Sequence, residues 1–493
     1  MKKAILLGVA ALCMVGCGSS SKENSIQKLP LEQISVFTSS DKQLENAYNW
    51  ARKMALSYAH DNSDPVGYWY EAALPQREAF CMRDVSHQSV GAQILGLTEH
   101  NKNMFMRFVE NISEEKDWCT YWEINRYNKP APADYTNDKE FWYNLNANFD
   151  VMQACLKMYQ WTGDTDYLTD PHFVNFYEKS VNEYIHRWAL EPDKIMDRPP
   201  YMNQPEDFNP GNNFHTCRGL PSYVENFRGL TVGVDLLAAM YAGFNAYAEM
   251  AELTGDHAKA EKGKAQAEAY QEILENRWWS SDSSFYQTFW TEDQKFHRGE
   301  GVPFILWFDA SENPDRIRAS VKDILSREWN VENMSAFPAL FYRLGYGEEA
   351  YRFLVNLPHM NRSEYPEVSY GIIEGAVCGV MGVKPLTSES SIATCSRLTD
   401  DSQKAEIKNI PVFDGYITVR HTGRTMTEIE NNTSKELTWK VAFMGNHSQI
   451  KVDGKVYSLA LSKDIRGNEI SEGHVSLPAN SKLSAEVLTN SNE

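Results

Sequence analysis

Apolar positions recur along this chain with two different periods, helical up to about residue 383 and alternating after about residue 416. Leu44, Ala47, Trp50, Ala51, Met54, Ala55 and Tyr58 stand at helical spacing and predict a helix over about 41–60. Ser40, with Gln43 three residues on, reads as its capping box. A unit then repeats: a helix apolar on nearly every side ends at a glycine, and an amphipathic helix follows. Gly96, Gly163 and Gly255 sit where a left-handed cap would close three of these units. The junction Trp161-Thr162-Gly163-Asp164 returns as Leu253-Thr254-Gly255-Asp256, and Gly345 and Gly382 hold similar places. Six inner helices are predicted to start near Arg83, Asn148, Val232, Val302, Asn333 and Val368; Pro303 and the short run to Asp309 limit the fourth. The outer partners fall at about 41–60, 102–113, 171–189, 257–279, 312–328 and 347–357. Alternation at this period predicts a closed array, an (α/α)6 toroid whose inner helices line a cavity.

After Gly382 the chain turns polar, then alternates: Ile417 and Val419, Trp439, Val441 and Phe443, Ile450, Val452 and Val456. Asp453-Gly454 between two such runs is a hairpin signal. The expected fold is mainly α, an (α/α)6 domain over 39–385, followed by a small antiparallel β-sandwich over 386–493.

Charge concentrates where the helical pattern is interrupted. The stretch Leu74–Leu97 crowds Arg77, Glu78, Arg83, Asp84 and His87 ahead of a buried helix, where free N–H groups favour anions. Long loops over 114–146 and 197–231 precede the second and third inner helices. They carry Trp118, Trp122, Glu123, Asp134, Trp142 and Tyr143, then His215, Arg218, Glu225 and Arg228, with Asn148 and Asp150 at the start of the second helix. Loops of this length in a compact domain usually carry function, and all of these fall at one end of the toroid. Glu364 and Glu367 approach the sixth inner helix, with Glu367 in a first turn opened by Pro366; Glu374 lies inside it. In a closed ring the first and sixth inner helices are neighbours, so the two charged segments would meet. A glycosidic bond is hydrolysed by two such carboxyl groups, one kept protonated by burial or by a like charge. Glu78 or Asp84 with Glu367 is the expected pair; Glu123, Asp134, Asp150 and Glu71 are reserves. Each also has a structural reading, as an ion-pair partner or a helix-start charge. The tryptophans read as core or as sugar platforms.

A net charge of −19 argues against nucleic acid as a partner. Nucleotide-binding glycine motifs, HExxH and GxSxG are absent, and Cys81, Cys119, Cys155, Cys217, Cys378 and Cys395 show no metal spacing. No metal and no cofactor are expected. Residues 1–17, with Lys2 and Lys3 before the apolar run Ala4–Val15 and then Gly16-Cys17, resemble a bacterial lipoprotein signal. Cys17 is then the expected lipidation site, 18–38 a tether, and the location the cell envelope, with the membrane met only through the anchor.

At these residues the chain resembles six-hairpin glycosidases. Pro75-Gln76-Arg77-Glu78 with Asp84 is similar to the Pro-Gln-Arg-acid stretch of family 78 α-L-rhamnosidases, where the acidic residue is the general acid. Ala73 stands where that family has an aspartate, and the following Asp comes one residue early. Ser369–Gly382 also resembles the matching helix there. FCMRDVSHQ (80–88), DWCTYWEI (117–124) and NFDV (148–151) resemble glycoside hydrolase family 154, associated with β-glucuronidase activity. The resemblance implies an exo-acting hydrolase that releases a terminal uronic acid from an oligo- or polysaccharide. Arg77, Arg83, Arg218, Arg228 and Arg298 would be suited to grip the carboxylate. A rhamnosidase-like hydrolase, a uronate lyase using His87, His215 or Tyr143, and a non-catalytic glycan-binding lipoprotein are the alternatives.

Overall fold

The structure is a computed structural model that describes residues 28–488 other than 75 and 226. The signal segment, Cys17 and residues 18–27 of the expected tether lie outside the described residues. Twelve helices dominate the first part: α1 (Lys42–Ser57), α2 (Met82–Ile94), α3 (Thr98–Val109), α4 (Ala147–Thr162), α5 (Pro171–Val181), α6 (Val234–Leu253), α7 (His257–Ile273), α8 (Val302–Trp307), α9 (Pro314–Leu325), α10 (Phe337–Arg343), α11 (Gly347–Asn356) and α12 (Pro366–Glu374). The even-numbered helices are the predicted inner ones. α2 packs on α4, α4 on α6, α6 on α8, α10 on α12, and α12 returns to α2. α8 and α10 face each other across a shared cavity. α8 is short, as Pro303 implies, and α10 is preceded by a separate turn, Val331–Ser335.

Asp41, not Ser40, caps α1, accepting from the Gln43 and Leu44 N–H groups; the capping-box expectation missed by one residue. The five junction glycines do adopt positive φ, from +62° at Gly382 to +88° at Gly345. α12 runs on as a π-helical turn over Gly375–Val380.

Two sheets form the second part. One has seven strands, in the order β1 (Val36–Ser39), Lys404–Val412, Gly415–Thr422, Met426–Asn432, Ser481–Val487, Gln449–Val452 and Lys455–Ser458. The other has five: Lys384–Leu386, Ser391–Ser396, Leu437–Met444, Glu469–Leu477 and Ala460–Lys463. Asp453-Gly454 makes the expected two-residue hairpin, with Val452 opposite Lys455. Two features depart from expectation. Ser391–Ser396 runs parallel to Leu437–Met444. Residues 36–39, the first three of them read as the end of the tether, pair antiparallel with Lys404–Val412, so the N-terminal part of the described chain completes the sandwich. Short strand pairs in the interhelical loops raise the β content further, so the fold is helical with a substantial β component rather than mainly α.

The inner helices enter from the loop end and finish at the sandwich. The Phe413 N–H donates to the Trp161 carbonyl at the end of α4 (2.8 Å), and Thr387 Oγ1 to the Gln160 carbonyl (3.1 Å). The opposite end, where the inner helices begin, carries the cleft.

Candidate active site

Three local devices bring the acids together. The expected loop over 114–146 contains Glu123–Asn125, a strand paired antiparallel with Ala79–Cys81, with Cys81 opposite Glu123. That pairing sets Glu123 beside the start of α2, three residues before Asp84. Asp84 lies in the first turn of α2 and Glu367 in the first turn of α12, and these two helices are neighbours. The turn Val331–Ser335, capped by Asn330, packs on α12 and adds Glu332.

Two chambers meet at these residues. The outer one, ≈ 420 Å³, is lined by Arg77, Trp122, Glu123, Asp134, Trp142, His215 and Glu225, and by Arg362 and Tyr365. The narrower inner one runs down the ring axis between His87, Gln88, Tyr223, Phe304, Trp307 and Leu340. Arg83, Asp84, Glu332 and Glu367 line both. They form the wall between the chambers.

Electrostatics at that wall are unbalanced. Asp84 and Glu367 are buried. Burial, and then the nearby Asp84 charge, holds the Glu367 carboxyl protonated well above the usual carboxylate range. Its Oε2 has no hydrogen-bond partner among the described residues. Arg83 contacts Asp84 (Nη2–Oδ1 3.5 Å) and lies over the Tyr223 ring, 5.4 Å from its centroid. In the outer chamber Arg77 reaches Glu123 at 3.0 Å and Asp134 at 2.8 Å. Burial, and then the neighbouring Asp134, push the Glu123 carboxyl upward too. Below the wall, His87 Nε2 lies 3.3 Å from Asp150 Oδ2, and the Tyr223 hydroxyl donates to the same carboxylate. The His87 and Trp307 rings are 5.3 Å apart.

No protein-family model matches the chain, and no curated protein matches it. Solved structures do. The GH78 family rhamnosidase of Bacillus sp. GL1 superposes with a TM-score of 0.57 at 11% identity, over 82% of this chain and 41% of that one. The α-L-rhamnosidase from Dictyoglumus thermophilum gives 0.58 at 13%, over 92% and 50%. A chain described as a kojibiose phosphorylase, from the human microbiome, gives 0.54 at 10%, over 91% and 64%. The likeness is one of fold. This chain spans half or less of the length of the two rhamnosidases.

The structure brings together most of the residues expected at the site and leaves others out. Asp84, Glu367, Arg77, Arg83, His87, Trp122, Glu123, Trp142, His215 and Glu225 all line a chamber. Glu78 does not: its side chain is about half exposed and pairs with Arg126 at 2.6 Å, on the far side of a backbone turn where its φ is +51°. Pro75 of the same motif lies outside the described residues. Asn148 is fully buried and satisfied, bonded to the Tyr143 hydroxyl (2.5 Å) and Ser180 Oγ (2.9 Å). That also removes Tyr143 from the surface. Trp118 packs under Lys179. Arg218 is buried against Asp117, Arg228 lies over Phe214 and bonds the Pro210 carbonyl, and Arg298 pairs with Asp323 at 2.6 Å.

Sequence reasoning passed over Glu332, Gln88, Tyr223, Trp307 and Arg362. Gln88 and Trp307 sit inside apolar helical runs and read as core. Glu332 carried one usable signal, its place just after the cap Asn330 at the predicted start of the fifth inner helix.

Proposed function

We propose that this protein is an exo-acting glycoside hydrolase that uses Asp84 and Glu367. The observation that carries the reading is the wall they share: two buried carboxyl groups, one held protonated, stand between a narrow inner chamber and a wider outer one. A terminal sugar in the inner chamber and its leaving group in the outer one would put the glycosidic oxygen at that wall. Glu367 then delivers the proton and Asp84, steadied by Arg83, acts on the opposite side of the anomeric carbon. His87, Gln88 and Trp307 would position the sugar, and Trp122 and Trp142 would offer faces to the leaving group. No step calls on a cofactor.

A terminal uronic acid is the more specific form of this proposal. Arg83 supports it, because it is the arginine common to both chambers and, among the described residues, has Asp84 as its one ion-pair partner. Arg77 is already shared between two acids. A rhamnoside, the other reading, needs no arginine. Envelope anchoring through Cys17 remains part of the proposal and is tested by acyl labelling of the wild type against Cys17→Ala.

Hydrolysis of nitrophenyl β-glucuronide and nitrophenyl α-rhamnoside, each with Glu367→Gln and Asp84→Asn, tests the chemistry. Both variants should lose about 10²–10⁴-fold in turnover while keeping the wild-type circular dichroism spectrum. Near-normal rates in either variant reject the pair. Activity on the rhamnoside alone rejects the uronate.

A further inference from the structure

Two carboxyl groups of α12 face the ring axis, and only one belongs to the hydrolytic wall. Glu367 lies in the first turn of the helix and Glu374 at its end, and both line the inner chamber. Glu374 comes seven residues later, two helical turns on, so it shares the face of Glu367 and stands about 10 Å deeper. Gly371, between them on that face, adds no side chain to the gap. The inner chamber therefore has a floor. Trp307, Ala339, Leu340 and Glu374 line it and also line a larger cavity behind, between the C-terminal halves of α4, α6 and α10 and the five-stranded sheet. Of these four, only Glu374 is ionisable.

The protein leaves that carboxyl without a close partner. Among the described residues it makes no hydrogen bond and has no cation within 4.0 Å. Nor is it sealed in the core: the residue keeps some exposure, and its oxygens are not among the buried orphans. Burial raises the Glu374 carboxyl, and Lys157, then Arg343 and His87, oppose that rise from a distance. Arg343 is committed to Asp309 at 2.8 Å. Lys157, with its ammonium 4.9 Å from the Trp307 ring, lines the rear cavity and not the inner chamber. Glu374 is left as an acceptor at the end of the space that the sugar would enter.

Resting on the hydrolytic reading for the direction of the sugar, we infer that Glu374 reads the chain end: it accepts from the C4 hydroxyl of the terminal sugar and so restricts the enzyme to ends that are unsubstituted there. With C1 at the wall, C4 is the ring atom farthest from it, and its hydroxyl would meet the floor. A free hydroxyl donates a charge-assisted bond to the carboxylate. A further sugar on C4 has no proton to give and runs into Trp307 and Leu340. A terminal sugar lacking that hydroxyl leaves the carboxyl with neither water nor partner, the case in which hydroxyl-reading sites discriminate most strongly.

Binding and turnover together test this. Nitrophenyl β-glucuronide and nitrophenyl α-rhamnoside, each with its 4-deoxy form, are titrated calorimetrically into the full chain carrying Glu367→Gln, in which turnover should be too slow to interfere. The parent glycoside that binds should do so about 10–100-fold more tightly than its 4-deoxy form. Adding Glu374→Ala should weaken the parent by a similar factor and leave the 4-deoxy form nearly unchanged, with Glu374→Gln, which keeps an acceptor oxygen, in between. A 4-deoxy form bound as tightly as its parent overturns the inference, and that comparison needs no change at Glu374. Equal losses on both forms overturn it too, because a carboxyl kept only to balance Lys157 would give them. So does binding of neither parent. Wild-type turnover separates the two readings. A glycoside hydrolysed without this preference rejects the role of Glu374 alone; one that shows the preference without being hydrolysed rejects the hydrolase and leaves the chain-end site standing.

Discussion

Glu367 and Glu123 share one physical state for one reason: each is a carboxyl group removed from water beside another acid. A donor of that kind works until the pH passes its raised pKa, so the alkaline limb of kcat/KM should lie well above the ordinary carboxyl range. Asp84→Asn removes the like charge nearest Glu367 and should move that limb to lower pH in the residual activity. A limb left in place would assign the proton to another group, with Glu123 next. The same shift acts on stability with the opposite sense. Above the carboxyl pKa of the unfolded chain, the native state holds a proton that the unfolded state has released, so stability falls as pH rises until the folded-state pKa is passed. Glu123→Gln removes this penalty and should therefore raise Tm more at about pH 8 than at about pH 5 in calorimetric scans.

Between helices, the site depends on close approach. A methyl group on Gly91 of α2 would overlap the Tyr370 carbonyl of α12, and one on Gly371 would overlap the Ser335 carbonyl. Gly243 of α6 meets the Phe149 ring of α4 in the same way. These contacts fix how far apart the first turns of α2 and α12 stand, and with them Asp84 and Glu367. Gly91→Ala should cost about 1–3 kcal/mol or more by overpacking, and should lower kcat beyond what the loss of folded protein explains. Gly255→Ala is the control. Its site is open but has φ +82°, so the change should cost about 1–2 kcal/mol in backbone strain and leave kcat unchanged. Chemical denaturation with parallel kinetics separates the two.

At the scale of the whole molecule, barrel and sandwich are not independent. Strand β1 precedes the first helix yet forms an edge of the seven-stranded sheet, and the ends of α2 and α4 bond to the Pro411 and Phe413 backbone and to the Thr387 hydroxyl. A chain stopped after Gly382 would leave β1 without its ladder and the ends of the inner helices uncovered. It is expected to be largely insoluble, and what remains soluble to lose cooperative melting by circular dichroism.

The helices, their order and the change to strands were legible because each rests on local periodicity: Leu44, Ala47, Ala51 and Ala55 mark a helical face wherever the rest of the chain goes. The meeting of Asp84 with Glu367 was reachable only through the assumption that the ring closes, since 283 positions separate them in the numbering. Glu78 shows where local reading stops. Its motif promised an acid in the cleft, but a positive-φ turn and Arg126 carry the side chain outward, and nothing within a few residues records that. Pairing of Cys81 with Glu123 is likewise a fact of assembly. Periodicity is written in neighbours along the chain; burial, and the pKa that follows from it, is set by neighbours in space.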